Sequence, residues 1–95
     1  MNLNSYKEEV RIFLENINSL NQGSEQKIEW LDEEFQLLKN AIDTNDKSKI
    51  KHQIYDMLFL LFEISADYDF DLDSEWNIGR EKKHKKYVSN CYKER

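Results

Sequence analysis

The segment Gln53-Ile54-Tyr55-Asp56-Met57-Leu58-Phe59-Leu60-Leu61-Phe62 constrains this chain more than any other. Apart from Gln53 and Asp56 every residue in it is apolar or aromatic, and a helix this hydrophobic nearly all round is a buried one. Such a segment belongs either at the centre of a bundle or against another subunit. Asp56 stands near its start, where a carboxylate costs free energy unless it is paired, solvated or bound to a cation. Asp56 is therefore either the wet end of a core helix or part of a site.

The rest of the composition narrows the fold. The 95 residues suffice for one domain, residues 1–95, with no room for a second core. There is no proline, and Gly23 and Gly79 are the only glycines. All-β and α/β chains need more turn residues than that, so the chain reads as all-α: a few long helices joined by short polar links. A net charge of −5 argues against general nucleic-acid binding, which requires a basic surface. No run of eighteen apolar residues exists, so no membrane span is expected. Residues 1–10 carry charge and no apolar h-region, so no signal peptide is expected. Cys91 is the single cysteine, which excludes an internal disulfide and points to the cytoplasm.

Four helical patterns follow one another. Tyr6, Val10, Phe13, Ile17 and Leu20 form one stripe, which stops before Asn21-Gln22-Gly23, a C-cap-like signal. Ser24 reads as the N-cap of a second helix, whose stripe is Ile28, Leu31, Phe35, Leu38 and Ile42. Asp43-Thr44-Asn45-Asp46 is a polar break. The third helix is expected over about 47–66, with Ile50, Ile54, Met57, Leu58, Leu61 and Ile64 as its principal stripe. A weaker fourth pattern starts near Asp71 or Asp73 and runs through Trp76, Ile78, Tyr87, Val88 and Tyr92.

If the second and third helices pack antiparallel, as a short link favours, Glu34 and Asp56 can approach each other. Two facing carboxylates suit a Mg²⁺ ion that keeps several of its waters. The alternative is a solvated Glu34 and an Asp56 that merely borders the core. His52, one turn before Asp56, can join such a site.

Two segments carry a resemblance to a known family. Glu33-Glu34-Phe35-Gln36-Leu37-Leu38-Lys39-Asn40-Ala41-Ile42 resembles the first motif of MazG-like nucleotide pyrophosphohydrolases, the all-α NTP pyrophosphatase group. Gln53-Ile54-Tyr55-Asp56-Met57-Leu58-Phe59 resembles the second, and the stretch from Trp76 to Tyr87 is similar to the basic end of such proteins. The resemblance covers about residues 28–88. It implies a four-helix bundle-like fold, assembled through helix packing between subunits into a dimer or tetramer. It further implies Mg²⁺-dependent attack of water on a nucleoside triphosphate, releasing a monophosphate and pyrophosphate. Glu34 and Asp56 take the catalytic and metal positions. Lys82, Lys86 and Trp76 become candidates for binding the nucleotide, the lysines on its phosphates and the indole on its base.

The chain departs from that pattern at two of four carboxylate positions. Leu37 stands where the second glutamate belongs and Gln53 where the third belongs. Gln53 still offers a neutral oxygen to a metal, whereas Leu37 offers nothing, and Mg²⁺ is held mainly by carboxylates and substrate phosphates. Glu33 or Glu63 can substitute only if the helices are rotated. Hydrolysis is therefore expected to be weak or lost, with nucleotide binding as the residual function. A different class explains the same losses: a non-enzymatic interaction or inhibitor protein of immunity or phage type, whose acidity steers it to basic partners. The run from Arg80 to Lys86 is then a solvated, dipole-compensating helix end. The alternating Asp67, Asp69, Asp71 and Asp73 fail as a calcium loop, because Leu72 and Ile78 occupy the required glycine and glutamate positions. They read as a link that caps the fourth helix.

Overall fold

A computed structural model describes residues 2–19 and 23–89. Every regular element among them is helical: α1 (Leu3–Asn16), α2 (Ser24–Asp43), α3 (Lys47–Tyr68) and α4 (Leu72–His84), followed by a π-helical turn, Lys85–Ser89. No helix among the described residues is long and apolar enough to cross a membrane. The all-α reading holds. Leu20, Cys91 and Tyr92 lie outside the described residues.

The helices end on a device that avoids glycine. Asn18, Asn45 and Asp69 take left-handed φ angles of 57°, 53° and 53°. After α1 the Ser19 N–H donates to the Leu14 carbonyl and Asn18 N–H to Glu15. The same pair of bonds closes α2, from Asp46 to Ala41 and Asn45 to Ile42, and α3, from Phe70 to Ser65 and Asp69 to Ala66. These are Schellman motifs with an Asn or Asp at the left-handed position, the non-glycine residues that tolerate it best. The first helix therefore stops at Asn16, earlier than its apolar stripe suggested. Gly23 is not a helix stop but the extended N-cap residue of α2, with φ −76°. Ser24 is helical, and its hydroxyl donates to Asp67 instead of capping.

The alternating aspartates each hold a different joint. Asp67 receives Lys27 from α2. Asp69 ends α3 and, with the Phe70 carbonyl, accepts the buried Lys7 ammonium at 3.2 and 2.6 Å. Asp71 caps α4 through the Ser74 N–H at 3.0 Å. Asp73 accepts from the Leu3 and Asn4 N–H groups, so α4 caps α1, while Asn4 Oδ1 accepts from the Leu72 N–H in return. The two-residue alternation of these carboxylates thus serves helix ends and joints.

The third helix is the spine. Tyr6 meets Phe62 with ring centroids 5.9 Å apart, and Phe13 meets Phe59 edge-on at 5.5 Å, so α1 runs antiparallel to α3. Lys27 pairs with Asp67 at one end of α2, and Glu34 lies in the field of Asp56 nearer the other, so α2 is antiparallel to α3 as well. The interhelical packing is dominated by α2 and α1 on α3, whereas α4 touches α1 and contributes no buried residue. This is a three-helix layer with an arm, not a closed four-helix bundle. Its radius of gyration of 16.0 Å exceeds the roughly 12 Å of a compact chain of this length.

The rotation of α2 and α3 differs from the apolar stripes. The buried seam uses Lys27 and Ala41 on α2 and Leu60 and Glu63 on α3. Ile28, Phe35 and Ile42 are exposed on α2, as are Ile54, Leu58 and Leu61 on α3. Each predicted stripe thus lies along the edge of the seam, with Leu31, Leu38, Ile50, Met57 and Ile64 half-buried, and the fully buried strip is partly ionic.

Candidate functional site

α1 and α2 leave a groove between them whose floor is α3. Its cavity of about 640 Å³ is lined by Glu9 and Phe13 of α1, Trp30 and Glu34 of α2, and Tyr55, Asp56, Phe59, Leu60 and Glu63 of α3. Helical spacing explains the lining: Asp56, Phe59, Leu60 and Glu63 recur at three and four, and so fall on one face. The groove therefore combines four carboxylates with four aromatic rings.

Glu34 and Asp56 do share this cleft, as their spacing predicted. Burial raises the Glu34 carboxyl above its ordinary value, and the Asp56 charge raises it further, with His52 acting in the opposite direction. His52 Nε2 sits 3.0 Å from Asp56 Oδ2 across one turn of α3. Gln53 is half-buried on the turn preceding Asp56, outside the residues that line the cleft. Among the described residues, two buried side-chain oxygens have no hydrogen-bond partner: Glu34 Oε2 and Gln53 Oε1. Leu37 and Glu33 are exposed. Among the described residues no group of three or more His, Cys, Asp and Glu side chains converges as a cation site.

The candidates on the fourth helix lie elsewhere. Trp76 is exposed and shares a groove of about 520 Å³ with Leu3, Leu72, Glu75, Gly79, Arg80 and Lys83. Lys82 and Lys86 are not in its lining, and the Lys86 ammonium rests 5.1 Å from the centre of the Tyr87 ring. This groove shares no residue with the α1/α2/α3 cleft. The residues singled out for metal and for nucleotide thus fall on two separate surfaces of one chain.

Sequence reasoning missed the ionic core behind the cleft. Lys27 is 0 % exposed, and its ammonium lies 2.7 and 2.8 Å from the two oxygens of Asp67. Glu63, only 8 % exposed, stands one turn before Asp67 and makes no hydrogen bond or ion pair among the described residues, though Lys27 lies close enough to act on its charge. A signal was present: Lys27 and Glu34, and likewise Asp56 and Glu63, are seven residues apart, which returns them to one helix face.

Burial raises the Glu63 carboxyl, Lys27 partly offsets this, and Asp67 adds to it. A raised value in the folded state means that the fold favours the protonated form. That contribution is complete below the ordinary carboxylate range and is lost as pH rises through the raised value. Glu63→Gln is therefore expected to raise the melting temperature at neutral pH, with the gain shrinking as pH falls through the raised value and gone below about pH 4. Thermal melts at the two pH values check this. A melting temperature lowered equally at both would show that the ionised carboxylate stabilises the fold.

No family model, curated protein or solved structure matches this chain.

Proposed function

We propose that this chain is a MazG-like helical protein that binds a nucleoside triphosphate in the α1/α2/α3 cleft and hydrolyses it weakly or not at all. The observation that carries the reading is the pair of orphaned buried oxygens. Glu34 Oε2 and Gln53 Oε1 lack any partner among the described residues, and both fall at motif positions of the resemblance. Buried polar atoms are nearly always satisfied, so an unpartnered Glu34 oxygen in the field of Asp56 and an unpartnered Gln53 oxygen one turn before it favour a cation. Glu34, Asp56 and Gln53 would hold Mg²⁺ with several of its waters retained. Bound there, the ion would neutralise triphosphate charge. Asp56, kept in place by His52, is the carboxylate available to orient a water, and the aromatic walls offer faces for a base. With Leu37 and Gln53 in place of two glutamates the charge that would hold the ion is halved, which is the reason for weak turnover. The reading includes a homo-oligomer, because Ile28, Phe35 and Ile42 on α2 and Ile54, Leu58 and Leu61 on α3 are exposed together.

Calorimetric titration with triphosphates and Mn²⁺ tests this. Binding is expected, with loss of about tenfold or more in metal affinity in Glu34→Gln or Asp56→Asn, in line with the charge removed. Affinity should also fall as pH is lowered through the raised Glu34 value, because protons compete for that oxygen. Brisk pyrophosphate release abolished by Asp56→Ala would overturn the claim of impairment. The exposed apolar residues favour a second reading, a non-enzymatic interaction protein. Calorimetric silence toward every triphosphate, with and without metal, would transfer the assignment to it.

A further inference from the structure

The fourth helix carries a glycine that nothing in its own chain requires. Gly79 stands in the interior of α4, where glycine is the least favourable residue after proline. Its φ is not positive, and a Cβ placed on it would meet nothing within 4 Å. We propose that Gly79 is the floor of a docking groove for an acidic peptide segment of a partner protein, one that carries an apolar side chain beside its carboxylates. The groove shares no residue with the α1/α2/α3 cleft, so the proposal goes beyond the nucleotide reading and does not rest on it.

Two elements build this groove. Leu72, Trp76, Gly79, Arg80 and Lys83 recur at three and four along α4 and so share one face. Leu3 joins them from the start of α1, where the Leu3 and Asn4 N–H groups donate to Asp73 and Asn4 Oδ1 accepts from the Leu72 N–H at 2.8 Å. Those reciprocal caps fix α1 against α4 and hold one end of the groove in shape. The cavity is about 520 Å³, within the range of formed ligand sites. With no side chain at Gly79, an occupant can approach the helix backbone between Trp76 and Lys83.

The lining changes character along the helix axis. Leu3, Leu72 and Trp76 make an apolar end, and the Trp76 indole is 60 % exposed. Arg80 and Lys83 make a cationic end and form no ion pair among the described residues. Such cations form charge-assisted hydrogen bonds with carboxylates. Glu75 lines the groove on its N-terminal side, which sets a direction. The occupant's carboxylates belong at Arg80 and Lys83, and its apolar side chain at Leu3 and Trp76. Trp76 and Lys83 are separated by about 10 Å of helix rise, the reach of about three residues of extended chain.

Charge distribution selects the partner. The chain has a net charge of −5, yet five of the seven residues from Arg80 to Lys86 are lysine or arginine. An acidic segment is thus steered to this arm and repelled by the rest of the surface. A nucleic-acid strand fits less well, because its affinity comes from a row of phosphate contacts and this groove offers two cations beside Glu75. The chain's own aspartates from Asp67 to Asp73 are taken up in joints and caps, so the segment belongs to another protein. α4 contains no buried residue, so none of it is already committed to the core.

Nuclear magnetic resonance of the labelled protein, titrated with a blocked peptide of glutamate and leucine, tests the contact. The Trp76 indole N–H and the Gly79 amide are expected to shift saturably, with a dissociation constant of about 1 mM or tighter, while the Trp30 indole stays in place. Glutamine for the peptide's glutamates, or serine for its leucines, should each weaken binding about tenfold, as should Arg80→Gln combined with Lys83→Gln. Gly79→Leu should abolish binding while circular dichroism shows helicity at or above wild type, because leucine is the better helix former. Absence of a saturable shift at millimolar peptide overturns the proposal, as does a shift at Trp30 in place of Trp76. Equal binding by the glutamate-serine peptide or by oligothymidylate also overturns it, since the arm would then be a plain polyanion surface. Wild-type affinity in Gly79→Leu does the same. No triphosphate enters these readouts, so failure of the nucleotide reading leaves them unchanged.

Discussion

Lys27→Met is expected to destabilise the fold by about 3–5 kcal/mol, the cost of breaking a buried ion pair by removing one partner. Methionine nearly preserves the volume and keeps the apolar stem, so the change isolates the ammonium. Lys27 is fully enclosed, and both oxygens of Asp67, whose side chain is 17 % exposed, close on it at under 3 Å. Without the ammonium, Asp67 and the buried Glu63 face each other one helical turn apart with no compensating charge. A loss of that size is a large fraction of the stability of a small domain. Urea denaturation measures it through the shift in midpoint at constant slope. Adding Asp67→Leu and Glu63→Leu to Lys27→Met should recover most of the loss, because replacing a whole buried ionic group by apolar residues is commonly neutral or favourable. A cost below about 1 kcal/mol for Lys27→Met would place the ammonium in water, as at a surface pair.

The second large effect distinguishes two adjacent leucines of the apolar run. Leu60→Ala is expected to cost about 2–5 kcal/mol, through lost transfer free energy and the cavity left behind. Leu61→Ala is expected to stay within about 1 kcal/mol in the isolated chain, as for a surface position. Leu60 is 8 % exposed and Leu61 47 %, although nothing in their chemistry separates them. Denaturation at low protein concentration compares the two. A penalty at Leu61 that grows with protein concentration would report its burial between copies. Equal penalties at low concentration would contradict the rotation of α3 described above.

Much of the fold was legible because it rests on local chemistry. The lack of proline and the scarcity of glycine demanded helices, and the periodic apolar residues located four of them, the last expected to run on to Tyr92, outside the described residues. The polar break at residues 43–46 and the capping role of Asp71 were readable for the same reason, since turns and caps are made by residues adjacent in sequence. Where one local signal competed with another, the reading failed. Gly23 looked like the obvious left-handed stop, yet Asn18 had already ended α1 through its own Schellman bonds.

The site was legible only in part. Glu34 and Asp56 line one cleft, and Gln53, one turn before Asp56, carries a buried oxygen without a partner among the described residues. Glu9 and Trp30 were not singled out for this cleft, and Glu63 only as a substitute on rotated helices, because convergence of three helices is a long-range property. The separation of Trp76, Arg80 and Lys83 from that cleft was equally invisible, since it depends on where α4 leaves the layer.

By itself, then, the sequence determined helix content, helix order, and the acidic character of the chain, all consequences of local propensity and composition. Asp56 at the mouth of its apolar run was readable as an anomaly from the same source. Only the tertiary structure decided which face of each helix turns inward. The apolar stripes of α2 and α3 are broad enough to accept more than one rotation. The buried Lys27–Asp67 pair is compatible with the rotation observed, which leaves Ile54, Leu58 and Leu61 outside. Asp56 consequently borders an open groove, with its carboxylate beside Glu34 and His52 and the core beginning one turn further on at Leu60.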